Sequence, residues 1–158
     1  MNVRIEGEKI VLRSVDSSDI DTILLWENSS AEPLYGVYEE QYTREDVVQF
    51  VENQQRYSLV ETEQLRLMIC SHSEERLGCV DLTEYDGESA FVSILIVELD
   101  NRGKGLGSET LRLLISYAES LGLQRLYATI LPENLASVSL FKKAGFVLEK
   151  GGRYLLVL

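Results

Sequence analysis

The sequence predicts a mixed α/β domain with one central sheet flanked by helices. Three observations carry this. Strand-like segments occur early and late, a uniformly apolar run lies at residues 91–97, and a glycine-rich loop leads from that run into an amphipathic helix.

Residues 9–15 (KIVLRSV) alternate in polarity and are rich in β-branched side chains, as strands are. Asp16 or Ser17 then offers an N-cap for an apolar-periodic helix over 19–28. After an irregular aromatic and acidic stretch at 29–42, Thr43 and Asp46 have the spacing of a capping box and open a second helix over 44–57. Residues 65–71 and 77–83 read as strands joined by a short polar turn. If that hairpin turns between Glu74 and Glu75, Cys70 stands opposite Cys79 on one apolar face, with Asp81 near its exposed end. The run at 91–97 (FVSILIV) is apolar enough to need cover on both faces, as a central strand has. A helix follows over 108–121, with Leu111, Leu114, Ile115 and Ala118 on one stripe and Gly122 as its stop. A strand over 126–131, a short helix over 134–144 ended by Gly145, and strands at 146–148 and 154–158 complete the pattern.

With 158 residues, 45% hydrophobic and 26% charged, residues 1–158 are expected to form a single domain with a true core. No run approaches the roughly 18 apolar residues of a membrane span, and the first residues lack a basic flank before an apolar stretch. A cytoplasmic protein without a membrane partner is expected. Two cysteines are too few for a disulfide framework and are not spaced as zinc ligands, so both are expected as buried, reduced thiols. A single histidine, His72, supplies neither a metal site nor a serine–histidine relay. The net charge of −11 argues against nucleic acid as a partner. That charge is unevenly spread: residues 1–100 hold 7 basic and 22 acidic side chains, residues 101–158 hold 8 basic and 4 acidic. Such a chain suits an anionic cofactor on one side and a cationic acceptor on the other, although acidic loops also serve plain solubility.

Arg102-Gly103-Lys104-Gly105-Leu106-Gly107 lies between the apolar strand and the amphipathic helix, where backbone N–H groups and the helix dipole hold phosphates. A dinucleotide fingerprint needs a third glycine where Ser108 or Thr110 stands, and a P-loop needs Ser or Thr where Gly105 stands. The remaining pattern, Arg-x-x-Gly-x-Gly, resembles the pyrophosphate loop of the Gcn5-related N-acetyltransferases (GNAT). Downstream, Asn134-x-x-Ser137-x-x-Leu140-Phe141-Lys142-Lys143-Ala144-Gly145-Phe146 resembles that family's cofactor-flanking helix and its Gly-Phe exit. Val11-Leu12-Arg13 with Asp16 and Asp19 is similar to the start of the branch that acetylates ribosomal-protein N-termini and polyamines.

The resemblance implies a GNAT-like acyl-CoA fold with a mostly antiparallel mixed sheet, and acetyl transfer from acetyl-CoA to a primary amine, a polyamine or basic peptide N-terminus. Transfer would be direct, within a ternary complex. A homodimer is compatible with it. It implies that the amides of Gly103, Lys104, Gly105, Leu106 and Gly107 and the Arg102 side chain bind the pyrophosphate. Ile96, Val97 and Asn134 would flank the pantetheine arm, with Ser137, Phe141 and Lys143 on the same cofactor-binding helix. Asn134 equally suits a helix N-cap, and Lys104, Lys142 and Lys143 equally suit solvated surface. Many members carry a tyrosine where this chain has Phe141, which cannot donate a proton; Ser137 lies one helical turn earlier, where the resemblance to the ribosomal-protein branch implies a serine as catalytic acid, and it equally suits a hydrogen bond to cofactor or backbone. The strand glutamate of the branch is also missing, since the chain reads Phe91-Val92-Ser93, which leaves Asp81 and Glu84 as substitute bases. For the acceptor, the resemblance implies the loop between the first two helices, where Glu32, Tyr35, Tyr38, Glu39, Glu40 and Tyr42 are aromatic and acidic groups that favour a cation, although a plain surface loop explains them equally. The departures at Phe141 and Ser93 keep a second reading open, a catalytically weak acyl-CoA-binding or sensing module.

Overall fold

In the computed structural model, which describes residues 2–29, 41–97 and 104–158, eight strands form one sheet in the order β1-β2-β3-β4-β5-β6-β8-β7. The strands are β1 (Arg4–Glu6), β2 (Ile10–Ser14), β3 (Leu65–Ser71), β4 (Arg76–Thr83), β5 (Ser89–Ile96), β6 (Arg125–Thr129), β7 (Val147–Lys150) and β8 (Arg153–Val157). Every pairing is antiparallel except β5–β6. The fold class read from the sequence is therefore the one observed. The helices are α1 (Ile20–Ser29), α2 (Arg44–Arg56), α3 (Leu59–Thr62), α4 (Leu106–Ser120) and α5 (Leu135–Lys143), with a 3₁₀ turn at Ser17–Asp19. The sequence pattern does not show the three-residue β1 or the single-turn α3, both too short for a periodicity to register.

Alternation along the strands divides the core in two. On one face Leu67, Ile69, Val80, Leu82 and Val92 pack with Leu111, Leu114 and Phe141. On the other, Met68, Cys70 and Cys79 pack with Val15, Ile23, Val47 and Val51 beneath α1 and α2. The caps form as their residue types dictate: Thr43 accepts from the Asp46 N–H while the Asp46 carboxylate accepts from the Thr43 N–H. Asp16 and Asp19 do the same for the 3₁₀ turn.

Three expectations need correcting. The hairpin register is Met68 opposite Cys79, not Cys70 opposite Cys79, because an irregularity between Ile69 and Cys70 and a left-handed Glu74 (φ 70°) reset the turn. The displacement for Cys79 is two residues, and an even shift preserves faces. Both cysteines thus share one buried cluster, as free thiols. Asp81 is buried rather than near an exposed end, held by Arg66 Nε and Nη2 at 2.8 Å each. And β5 is covered only in part on its second face, since Leu95 packs against the α1–α2 cluster while Ser93 is exposed.

The 3₁₀ turn holds a buried ion cluster. The fully buried Asp19 carboxylate accepts from Arg13 Nη1 and Nη2 at 2.8 Å, from Arg76 Nε at 2.6 Å and from the Asp16 amide at 2.9 Å. Burial by itself pushes the Asp19 carboxyl up; the Arg13 bonds, the Asp16 amide and Arg76 outweigh it and hold the group below the usual carboxylate value.

Two measurements follow. A depressed carboxyl contributes stability above its unfolded pKa and loses it as pH falls through the folded one. Asp19→Asn should cost about 3–5 kcal/mol at pH 7, because it leaves two guanidiniums short of their counter-ion, and its urea midpoint should fall less than the wild type's below about pH 4. Burial pushes the Cys79 thiol up to about 12 and raises Cys70 as well. Thiol titration at pH 8 should label neither cysteine in the native protein and both after denaturation; rapid native labelling would contradict this packing.

Candidate functional site

The site begins where two strands part. Parallel pairing of β5 and β6 covers only Ser89–Arg125, Ala90–Leu126 and Phe91–Tyr127, after which the strands diverge. Phe91 and Tyr127 stack at that last rung, ring centroids 5.3 Å apart, with Arg153 over the Tyr127 ring at 5.0 Å. Beyond it opens a cleft of about 650 Å³. One wall is β5, at Ile94, Leu95 and Ile96; the other is the start of α4, from Gly105 to Ser108, and α5, at Asn134, Ser137, Leu140 and Lys143. Consecutive strand residues point to opposite faces, and Ile94 and Ile96 belong to the α4 side while Leu95 belongs to the α1–α2 side. All three line the cleft, which runs along this stretch of β5.

The glycines fit a group that comes close to the backbone. Gly105, at φ 80°, is the N-cap of α4 and offers no capping side chain. The first N–H groups of α4 therefore have no intrahelical acceptor where they open into the cleft. A Cβ on Gly107 would stand 3.0 Å from Leu140 Cδ2, so glycine lets α4 and α5 meet. On β4, a Cβ on Gly78 would run into the Leu95 carbonyl, so glycine there sets the position of the cleft's strand wall. An apolar strand edge facing a wall of amide, hydroxyl and ammonium groups, with a helix N-terminus at one end, suits an elongated ligand bearing an anionic tail.

The structure brings together much of the residue set read from the sequence. Ile96, Gly105, Leu106, Gly107, Asn134, Ser137 and Lys143 line the cleft. Asn134 is also the N-cap of α5, its Oδ1 accepting from the Ser137 N–H at 3.3 Å. Among the described residues the Ser137 hydroxyl has no protein partner. Val97 lies outside the lining, its N–H donating to the Leu77 carbonyl. Lys104 contributes a carbonyl, which accepts from Lys9 Nζ at 3.1 Å, rather than a lining side chain.

Phe141 is a correction. It is buried at 3% exposure, edge-on to Phe146 at 5.0 Å, and belongs to the core beneath the cleft. Each helical residue turns about 100°, so Ser137 stands at the rim of the arc made by Ala136, Leu140 and Lys143, and Phe141 lies about 40° further round, towards the core. Asp81 is also unsuited to the role of base, since both its oxygens bind Arg66, whose third contact is Glu27 at 2.7 Å. Glu84 is exposed beyond the end of β4. Among the described residues no carboxylate lines the cleft. Ala136, Ser139, Ser108, Ile94 and Leu95 line it without having been singled out, for want of any chemical signature. Arg102, Gly103, Glu32, Tyr35, Tyr38, Glu39 and Glu40 lie outside the described residues. Tyr42 is described, an exposed residue whose N–H donates to Asn28 Oδ1.

The acetyltransferase (GNAT) domain model matches residues 9–147, and the chain belongs to that family. Among curated proteins, an uncharacterized protein of Methanocaldococcus jannaschii is 24% identical over 150 residues, which is 94% of this chain and 30% of that protein's length. Among solved structures, the spermidine N-acetyltransferase of Vibrio cholerae in complex with CoA and spermine superposes with a TM-score of 0.81 at 20% identity, over 96% of each chain. The ribosomal-protein-S5-alanine acetyltransferase of Vibrio fischeri gives 0.77 at 18% identity, over 98% of this chain and 96% of that one. Likeness at such identities is a likeness of fold.

Gly105→Asp tests the loop. It sets a carboxylate where an anion is expected and beside Lys9 Nζ, which lies 3.3 Å from the Cβ position, while the left-handed φ adds only about 1–2 kcal/mol of strain. Calorimetric titration should show coenzyme A affinity reduced at least about tenfold in a folded protein. Wild-type affinity in the folded variant would remove the loop from the cofactor seat.

Proposed function

Taking the family membership as premise, we propose that this protein transfers an acetyl group from acetyl-CoA to the primary amine of a cationic acceptor, a polyamine or a basic peptide N-terminus, directly and within a ternary complex. The observation that carries this reading is a cleft at the parting of β5 and β6 that joins an apolar strand wall to the head of α4, where Gly105 leaves the first amides without a side-chain cap. A cofactor can lie along β5 against α4 and α5 and present its acyl group where β5 leaves β6. The spermidine and ribosomal-protein acetyltransferases of like fold act on amines, which supports the acceptor class.

When bound, acetyl-CoA supplies an activated thioester. The chain's own residues then have limited tasks. Gly105 to Ser108 present backbone donors at the head of α4, and the β5 wall of Ile94 to Ile96 excludes water along the arm. Neither cysteine lines the cleft, and burial raises both thiols, which supports direct transfer over a covalent acyl-enzyme. Ser137, with its hydroxyl uncommitted at the rim, is positioned to give a proton to the departing thiolate. The acceptor reacts as the neutral amine, so the rate follows its own ionisation.

A second reading, an acyl-CoA-binding or sensing module, is favoured by one observation: Phe141 is buried and puts no hydroxyl at its position. Thiol release from acetyl-CoA over a panel of polyamines and basic peptides separates the two. Turnover on at least one amine is expected, with kcat/KM rising with pH along that amine's titration; tight coenzyme A binding without turnover on any amine would leave the sensing module. Ser137→Ala should lower kcat by about 10- to 100-fold with little change in coenzyme A affinity. Equal losses in both would reduce Ser137 to a binding residue.

A further inference from the structure

The head of α4 is anchored from a part of the chain that lies outside both motifs. Lys9 stands just before β2, and its backbone N–H donates to both oxygens of Glu109, at 2.9 and 3.1 Å. Glu109 is 7% exposed and sits in the first turn of α4. The same residue's ammonium reaches across to the glycine loop, donating to the Lys104 carbonyl at 3.1 Å. It lies 3.3 Å from where a Cβ on Gly105 would be, with only hydrogen there to separate it from the loop.

A cation suits the electrostatics of this corner. A helix N-terminus favours an anion, but here a buried carboxylate already occupies the first turn, fixed by the Lys9 amide. A second anion arriving at Gly105 meets a field that Glu109 has partly cancelled. Lys9 brings a cation against the loop. Lys143 lines the same wall from the last position of α5, where it also serves that helix's C-terminal dipole. An ammonium has three N–H donors, of which the Lys104 carbonyl takes one.

We propose that Lys9 is a cofactor-binding residue: its ammonium holds the Lys104 carbonyl in place and donates directly to the pyrophosphate of the bound coenzyme. This rests on the coenzyme A reading of the cleft. It makes the seat a joint product of the β1–β2 turn and the glycine loop.

The test is calorimetric titration with coenzyme A and dephospho-coenzyme A, which lacks the 3′-phosphate but keeps the pyrophosphate, across a salt series. It compares wild type, Lys9→Met and Lys9→Arg. Lys9→Met keeps the apolar stem of an exposed side chain and should shift Tm by less than about 2 °C. It should weaken both ligands about tenfold and flatten the salt dependence of binding, while Lys9→Arg restores most of the loss. Unchanged affinity in Lys9→Met would overturn the proposal. A loss with wild-type salt dependence would also overturn it, by making Lys9 only a packing residue. A loss confined to coenzyme A would move the ammonium to the 3′-phosphate and overturn the pyrophosphate assignment. Failure of the wild type to bind either ligand would overturn the cofactor reading itself, a result distinct from these.

Discussion

The separation of β5 from β6 after three residue pairs is the constraint on which the site depends. Opening a sheet in its middle leaves strand edges without a ladder, and backbone groups away from water are costly when unpaired. The fold tolerates the gap because each strand is fully held from its other side. β5 pairs with β4 from Gly78–Ile96 to Thr83–Phe91, and β6 pairs with β8 along its whole length. Parallel neighbours also need a long crossover, and that crossover is α4. The same connection that allows β5 and β6 to be parallel delivers the head of a helix to the mouth of the gap.

Keeping α4 in place falls to small residues and buried polar contacts as much as to apolar packing. Gly7 has no room for a side chain because the Glu109 carboxylate fills that space, and Glu109 in turn holds the Lys9 amide. Gly107 admits Leu140. Gly78 admits the Leu95 carbonyl on the strand side. Phe141 and Phe146 close the floor. The cleft is therefore shaped from below by aromatic bulk and from the sides by the absence of Cβ atoms. That combination suits a ligand whose backbone-like arm lies close along a strand.

Helices with explicit caps and strands with clear alternation were legible in the sequence: α2 starts at the capping box of Thr43 and Asp46, and β3 spans Leu65–Ser71 as its pattern requires. The glycine loop was legible because its spacing excludes two competing phosphate motifs. What escaped was set by geometry that no residue type announces. The irregularity at Ile69/Cys70 moved the hairpin register by two for Cys79 while leaving its face intact. The Phe141 position is one helical turn from Ser137, yet 40° of helical rotation separates lining from core. Lys9 and Gly78 carry no motif at all, and they matter only through contacts spanning 95 residues in one case and two adjacent strands in the other.

The uneven charge of the chain also takes a spatial form. Residues 1–100 supply every strand up to β5, and residues 101–158 supply α4, β6, α5, β7 and β8. The cleft lies on the seam between them, with the acidic portion forming the strand wall and the α1–α2 side, and the mildly basic portion forming the helical wall. On the proposed reading, a field across such a seam favours an anionic tail at the helical wall and a cation on the opposite side. Arg66 does not undo this, because Asp81 and Glu27 both bind it and leave their group of three net negative. On the proposed reading, an acceptor amine reaching the end of β5 meets the acidic portion of the chain, while among the described residues no carboxylate lines the cleft. Concentrating an ammonium and taking its proton are then separate tasks on that reading: a long-range field can do the first from residues that never touch the acceptor, whereas the second needs a proton acceptor, side chain or water, at the cleft itself.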